Sequence, residues 1–422
     1  MPPEPDAIRQ AVRARRDDLV ALAQAMVRTP SLPGEEQAVQ ELVAGRLRTM
    51  GLEVSVLPVS LERLRGHPAF GDDGFSPEGR IDVIGRWRGA GTGRSLILNG
   101  HVDVVSPGDE ARWTVSPWSG VVREGRLYGR GACDMKSGLA AGIMAVQVLM
   151  DLGWRPGADL TVESVVGEES GGAGTLAAIV AGIRADGAII LEPTGLDLCP
   201  VQSGALTFRL TVPGLAAHGA LRQHGVSAIE RFSLLHAAIL ELERHRHARH
   251  PHPLFDDPDF VAPVSIGTIR GGDWHSTVPE SVVAEGRFGV FPGESVAEAR
   301  DALEQAVASA AAADAWLADH PPTVTWFEGQ FESGETAAGH PLVTTLAGAH
   351  QAVVGTVPRT RGVPYGSDLR LLTNHAGMAA VLYGPGDVSL AHAVDEWIGL
   401  DEVAEAVTVL VRFIADWSGE AA

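Results

Sequence analysis

Near residue 205 the hydrophobic rhythm of this 422-residue chain changes, and near residue 330 it changes back. Up to the break, short apolar runs at 54–57, 81–84, 96–98, 160–166 and 188–191 are interleaved with helical patterns at 138–152 and 174–183. An amphipathic helix is predicted over 7–28, with Val12, Leu19, Leu22, Ala25 and Met26 at helical spacing, ending before the breakers Pro30-Ser31-Leu32-Pro33-Gly34. Strands alternating with helices imply an α/β fold, a doubly wound domain of largely parallel sheet. Inside the break, Leu206, Phe208, Leu210 and Val212 alternate as a half-buried strand does, and Ile229, Phe232, Leu235, Ile239 and Leu242 follow at helical spacing. Strand patterns at 263–269 and 281–291, an Ala-rich helix over 294–317 and a strand at 323–327 complete the order β-α-β-β-α-β, a ferredoxin-like α+β unit. The α/β pattern resumes at 341–354, 379–382 and 401–417. The expectation is one α/β domain in two parts, 1–204 and 331–422, with a ferredoxin-like domain, 205–330, inserted into it.

Charge and composition narrow the partners. Fifty-three acidic against 33 basic residues leave a net charge of −20, which argues against nucleic acid, because phosphate binding needs a basic face. Lys136 is the sole lysine, a bias read first as genomic. Cys133 and Cys199 are too few for a disulfide framework or a cysteine zinc module. Residues 1–16 carry no apolar secretory core, and no stretch reaches about 18 uninterrupted apolar residues. A cytoplasmic chain without a membrane partner is expected.

The chemistry gathers where apolar runs end. At 96–108, Leu-Ile-Leu-Asn-Gly-His101-Val-Asp103-Val-Val-Ser-Pro-Gly places His101 and Asp103 two apart, on one face of a strand. A metal-binding imidazole needs its second nitrogen held, and Asp103 is placed to do so. Gly129-Arg-Gly-Ala-Cys-Asp134-Met-Lys-Ser-Gly138 sets an acid at the head of a helix, the place of an N-cap or of a ligand. In Gly167-Glu168-Glu169-Ser-Gly-Gly172 two adjacent carboxylates follow a strand, so that one can bind a metal while the other serves as base. Glu192 closes the 188–191 run, and Gly384-Pro-Gly-Asp-Val-Ser-Leu-Ala-His392 supplies a second histidine. Such positions are where open α/β sheets put their ligand crevice. Two histidines with three or four carboxylates suit a pair of zinc, cobalt or manganese ions.

These segments, in this order and spacing, resemble the family of di-zinc aminoacylases and exopeptidases that includes acetylornithine deacetylase, succinyl-diaminopimelate desuccinylase and carboxypeptidase G. The resemblance spans nearly the whole chain, and makes the inserted domain a lid and dimerisation domain. It implies that His101 and Glu192 hold one metal, Glu169 and His392 the other, and that Asp134 bridges them. It further implies that Asp103 orients His101 and that Glu168 is the general base. His218, in Gly214-Leu-Ala-Ala-His218-Gly, matches the lid histidine that donates to the oxyanion across a dimer. Two lid positions depart from the family pattern. Ser276, in Gly271-Gly-Asp-Trp-His-Ser276-Thr-Val-Pro279, stands where many members carry asparagine, and Gly289 stands where an arginine is frequent. Those positions help to bind the substrate's carboxylate in several members. Gly366-Ser367-Asp368-Leu369-Arg370 resembles the glycine-rich substrate loop, with Gly366 in its turn and Arg370 as the candidate carboxylate clamp.

Other clusters read as structure. His245, His247, His250 and His252 are expected at a solvated helix end, and Cys133 as a packed side chain without a base. The resulting expectation is a two-metal hydrolase of a C–N amide in a small molecule, zinc first with cobalt or manganese as alternatives, working as a homodimer. N-acyl amino acid deacylation leads. A dipeptidase or carboxypeptidase, a deformylase of an N-formyl aminopyrimidine and a catalytically inactive scaffold are the alternatives.

Overall fold

The strands Leu96–His101 and Leu160–Val165 are buried along their whole length, as strands covered on both faces must be. They pair in parallel, Leu96 opposite Leu160, and the parallel core continues through Ala188–Ile190 to Ala380–Leu382. On the other side Ile81–Trp87 and then Glu53–Pro58 join antiparallel. Residues alternate between the two faces of each strand. Gly100 faces the helix Ser137–Asp151, where a Cβ on it would lie 3.2 Å from Leu139. Asn99 points the other way and its Nδ2 donates to Thr175 of the helix Ala173–Val180 at 3.0 Å. Helices therefore cover both faces of a largely parallel sheet.

This computed structural model describes residues 3–76 and 78–421, so Met1 and Pro2 of the expected leaderless start lie outside the described residues. The chain divides into two compact units, 1–200 with 335–361 and 367–422, and 201–334 with 362–366. In the first, the run Ala132–Asp151 is apolar and long enough to cross a membrane, yet 83% of its most apolar stretch is buried, as in a core helix. The opening helix is broken in two, Pro5–Ala14 and Arg16–Arg28. The break falls at Arg15, which leaves helical geometry while its guanidinium grips Asp151 at the end of the core helix, Nε to Oδ2 at 2.6 Å. Lys136 lies wholly inside this unit and donates to the carbonyls of Met26, at 3.0 Å, and Thr29, at 2.9 Å. A cation there suits the negative end of the helix Arg16–Arg28.

In the second unit the alternation at 206–212 is realised within the strand Gly204–Pro213. The sheet runs Val264–Gly271, Ser281–Val290, Gly204–Pro213, Thr323–Phe331, antiparallel throughout. The first strand in sequence sits inside and the last at an edge, the ferredoxin-like arrangement. Phe208, Leu210, Phe232, Leu235, Phe288 and Leu303 meet in the core between this sheet and the helices Ala228–Arg249 and Val296–Ala312.

Two expectations need correction here. Residues 362–366 belong with the second unit, not with the block 331–422. Val363 accepts from the Ser203 amide at 2.9 Å, Pro364 accepts from Arg287, and Gly362 and Gly366 are pressed against the rings of Phe255 and Phe331. The histidine cluster is not simply solvated, because the helix continues to Arg249 and turns His247 inward. Its Nε2 accepts from the Ala262 amide at 3.2 Å, which leaves Nδ1–H to donate to Glu243 O at 2.9 Å.

Candidate metal centre

His101 is the last residue of its strand, fully buried, and its Nε2 points at Asp134 Oδ1, 3.2 Å away, with Glu192 Oε1 at 3.9 Å. His392 approaches from the glycine-rich loop at 384–392, in a left-handed conformation with φ of 61°. Its Nε2 lies 3.0 Å from Glu169 Oε1 and 3.5 Å from Asp134 Oδ2. Each oxygen of Asp134 thus faces a different imidazole, the disposition of a carboxylate shared between two cations. Ligand atoms of His101, Asp134 and Glu169 lie within 4.8 Å of one another, and so do those of His101, Glu168 and Glu192.

Electrostatics fit the same reading. Burial, and then the charge of neighbouring carboxylates, holds Glu168 and Glu192 well above the usual carboxylate range, and burial raises Glu169 as well. Burial alone would lower His101, but its bond to Asp134 and the charges of Asp103 and Glu192 raise it well above the ordinary value. His392 is pushed up to about 10 by hydrogen bonds to Asp134 and Glu169. Carboxylates driven to hold protons and imidazoles driven to hold charge mark a pocket short of positive charge. Two imidazoles and four carboxylates are also the donors that divalent zinc, cobalt or manganese takes.

The supports of these side chains differ from expectation in three ways. Asp103 lies beyond the end of the strand, so strand alternation no longer aims its carboxylate at His101. Its backbone carbonyl meets His101 Nδ1 at 2.9 Å, while its carboxylate stands 3.7 Å off. That carboxylate accepts instead from the amides of Glu168, at 3.3 Å, and Glu169, at 3.0 Å, and so pins the turn that bears both glutamates. Arg370, expected as a carboxylate clamp, is buried where the chain turns inward before Leu371–His375, and its Nη2 donates to Gly171 O at 2.8 Å. The third support, Glu396, was not singled out from the sequence. Its Oε1 accepts from the amides of Cys133, at 2.8 Å, and Asp134, at 3.1 Å, and its Oε2 meets Arg130 at 2.6 Å. The pair is 266 residues apart in sequence, so no local spacing announces it. The Asp134–Met135 peptide in this segment is cis.

His218, Ser276 and Gly366 belong to the second unit. His218 is exposed; its Nδ1 accepts from the Ala220 amide at 3.1 Å and its backbone bridges to Thr277. The Ser276 hydroxyl lies 2.8 Å from His275 Nδ1. Gly289 packs so tightly that a Cβ on it would fall 2.4 Å from the carbonyl carbon of Ala262. Cys133 is buried and its thiol is pushed far up by burial and by Glu396, so it is inert, as the sequence indicated.

A sequence model of peptidase family M20/M25/M40 matches residues 97–416. An N-formyl-4-amino-5-aminomethyl-2-methylpyrimidine deformylase of Bacillus subtilis (strain 168) is 27% identical over 434 residues, covering 97% of each chain. An acetylornithine deacetylase of Edwardsiella ictaluri (strain 93-146) is 28% identical and covers 94% of this chain and 96% of its own. In structure, the M20 family metallo-carboxypeptidase Sso-CP2 of Sulfolobus solfataricus superposes with a TM-score of 0.75 at 15% identity, over 95% of this chain and 99% of that one. The last likeness is one of fold.

Proposed function

The chain belongs to the M20/M25/M40 peptidase family of metal-dependent hydrolases, and from that premise we propose that it removes a small acyl group, formyl before acetyl, from an amine that bears no carboxylate. The observation that carries this choice is Gly289. A side chain there would collide with the Ala262 backbone, so the position cannot present the arginine that helps bind a substrate carboxylate in the family it resembles. Ser276, the other departure, offers only a hydroxyl already within reach of His275. The relative named as a deformylase acts, by its name, on an aminomethylpyrimidine without a carboxylate. N-acyl amino acid deacylation is the second reading, favoured by the acetylornithine deacetylase that matches over almost its whole length.

In this reading His101 and Glu192 would hold one ion, Glu169 and His392 the other, and Asp134 both. Zinc is the ion of our reading, with cobalt or manganese as alternatives. Such ions would supply Lewis acidity to a water and to the amide carbonyl. Glu168, buried and raised in proton affinity, would take the proton from the attacking water and pass it to the leaving amine, giving a carboxylate and an ammonium. On the resemblance, His218 would donate to the carbonyl oxygen from the partner subunit of a homodimer. The exposed edge strand Val264–Gly271, with Ile269 outward, supports a second-unit interface.

The test is a kcat/KM series with N-formyl aminomethylpyrimidine, N-acetylornithine and dipeptides under added zinc or cobalt. The formyl amine should lead by about tenfold or more, since a missing binding group separates substrates at least that far. A lead for N-acetylornithine establishes the second reading instead. Turnover of none of them by protein loaded with two ions would sink both.

A further inference from the structure

The turn 167–172 carries two glutamates of the candidate centre, and the loop before the strand Ile81–Trp87 reaches it from outside. Asp73 in that loop accepts at Oδ2 from two donors, Arg80 Nη1 at 2.7 Å and Ser170 Oγ at 2.9 Å. Ser170 directly follows Glu169. Arg80 has no exposed side-chain surface and Asp73 almost none, and Arg80 Nε stands 3.6 Å from the equally buried Glu36. The guanidinium also fills the space beside Gly167, where a Cβ would fall 2.2 Å from Nη2. Gly167 itself is left-handed at φ +71°, so the turn needs glycine there twice over.

A buried arginine flanked by two carboxylates is a costly thing to place in a core, and removing one partner exposes that cost. Burying one here fixes the start of the turn through Gly167 and, by way of Asp73, the end of the glutamate pair through Ser170. The amides between are held by the Asp103 carboxylate. We propose that Asp73, Arg80 and Ser170 form a strap that positions Glu168 and Glu169, and that Asp73 and Ser170 are positioning residues for metal binding and for proton transfer. The proposal rests on the assignment of Glu169 as ligand and Glu168 as base. The strap acts on both because it acts on their shared backbone.

Ser170 is partly exposed, so Ser170→Ala keeps the core intact and is the first variant to make. Manganese titration by calorimetry should show affinity about tenfold weaker, in the range found when partners that orient ligands are removed, with the melting temperature little changed. In the substrate series kcat should fall with KM within about twofold, as when an interaction made in the transition state is lost. Ser170→Thr, which keeps the hydroxyl, should restore both. Because Asp73 and Ser170 act through one hydrogen bond, Asp73→Ala combined with Ser170→Ala should be no worse than Asp73→Ala alone. Wild-type manganese affinity in Ser170→Ala, or additive losses in the double variant, overturns the strap. If the wild type binds manganese but cleaves none of the amides, the proposed reaction fails while the affinity readout still decides the strap.

Discussion

At the scale of single residues, burial holds Glu168, Glu169 and Glu192 above their ordinary proton affinity, while, against burial, hydrogen bonds to His101 and His392 hold Asp134 below it. Glu168→Gln removes the proton acceptor and keeps the shape; kcat should drop by about 10²–10⁴-fold, with two ions still found per chain by metal analysis. Loss of the ions together with activity would make Glu168 a ligand, an outcome its proximity to His101 and Glu192 makes worth testing. Away from the centre, His350 is buried against the Tyr383 hydroxyl, Nδ1 to Oη at 2.8 Å, and burial lowers its pKa below 6.5. The folded state therefore holds the ring neutral, and below pH 6.5 the unfolded chain binds the extra proton. Stability contributed by the neutral ring is full above 6.5 and is lost as the pH falls toward the folded pKa. Melting temperatures from pH 7.5 to 5 should decline less steeply in His350→Gln. Legibility at this scale was uneven. His101, Asp134, Glu169 and Glu192 stood out because each follows an apolar run or opens a helix, and His392 because it closes a glycine-rich loop. Asp103 and Arg370 were visible as residues but not in their contacts, because what a side chain touches beyond a strand end depends on where the backbone turns.

Elements explain what single residues leave out. Strand existence followed from apolar runs, yet strand order did not: Leu160–Val165 slots between Ile81–Trp87 and Leu96–His101, a choice made by long-range pairing that no local pattern records. The same holds for the segment bearing Asp134, which hangs on Glu396 and Arg130. Glu396→Gln keeps an oxygen for both amides but turns its amide group toward Arg130 and leaves that buried cation without its carboxylate. Zinc affinity should fall about 10–100-fold, as for other residues that orient ligands, read by competition with a chromogenic chelator. Unchanged affinity would show that the segment holds its shape by its own packing. In the second unit the alternating strand and the helix stripe were legible because a one-sided sheet must write its buried face into every other residue.

For the whole molecule, ions that bind only the folded state add to its stability by mass action. Chelation should therefore lower the melting temperature, and returning zinc or cobalt should restore it in a concentration-dependent way; an unchanged melting temperature would place the ions outside the folded centre. Sedimentation should show a dimer, with Ile269→Asp shifting it toward monomer and lowering kcat if His218 serves the partner's site. Division into two units was foreseen from the rhythm of the chain, apart from residues 362–366, whose glycines fit the second unit only in three dimensions.

One consequence of the placement of Lys136 concerns how the protein responds to reagents. Every other basic side chain is an arginine, and this one amine is sealed against the carbonyls of Met26 and Thr29. The folded chain therefore shows no ε-amine to acylating labels, lysine cross-linkers or enzymes that tag lysines. A succinimidyl ester should mark residue 136 only when the core opens, so the mass of a single peptide becomes a clock for unfolding.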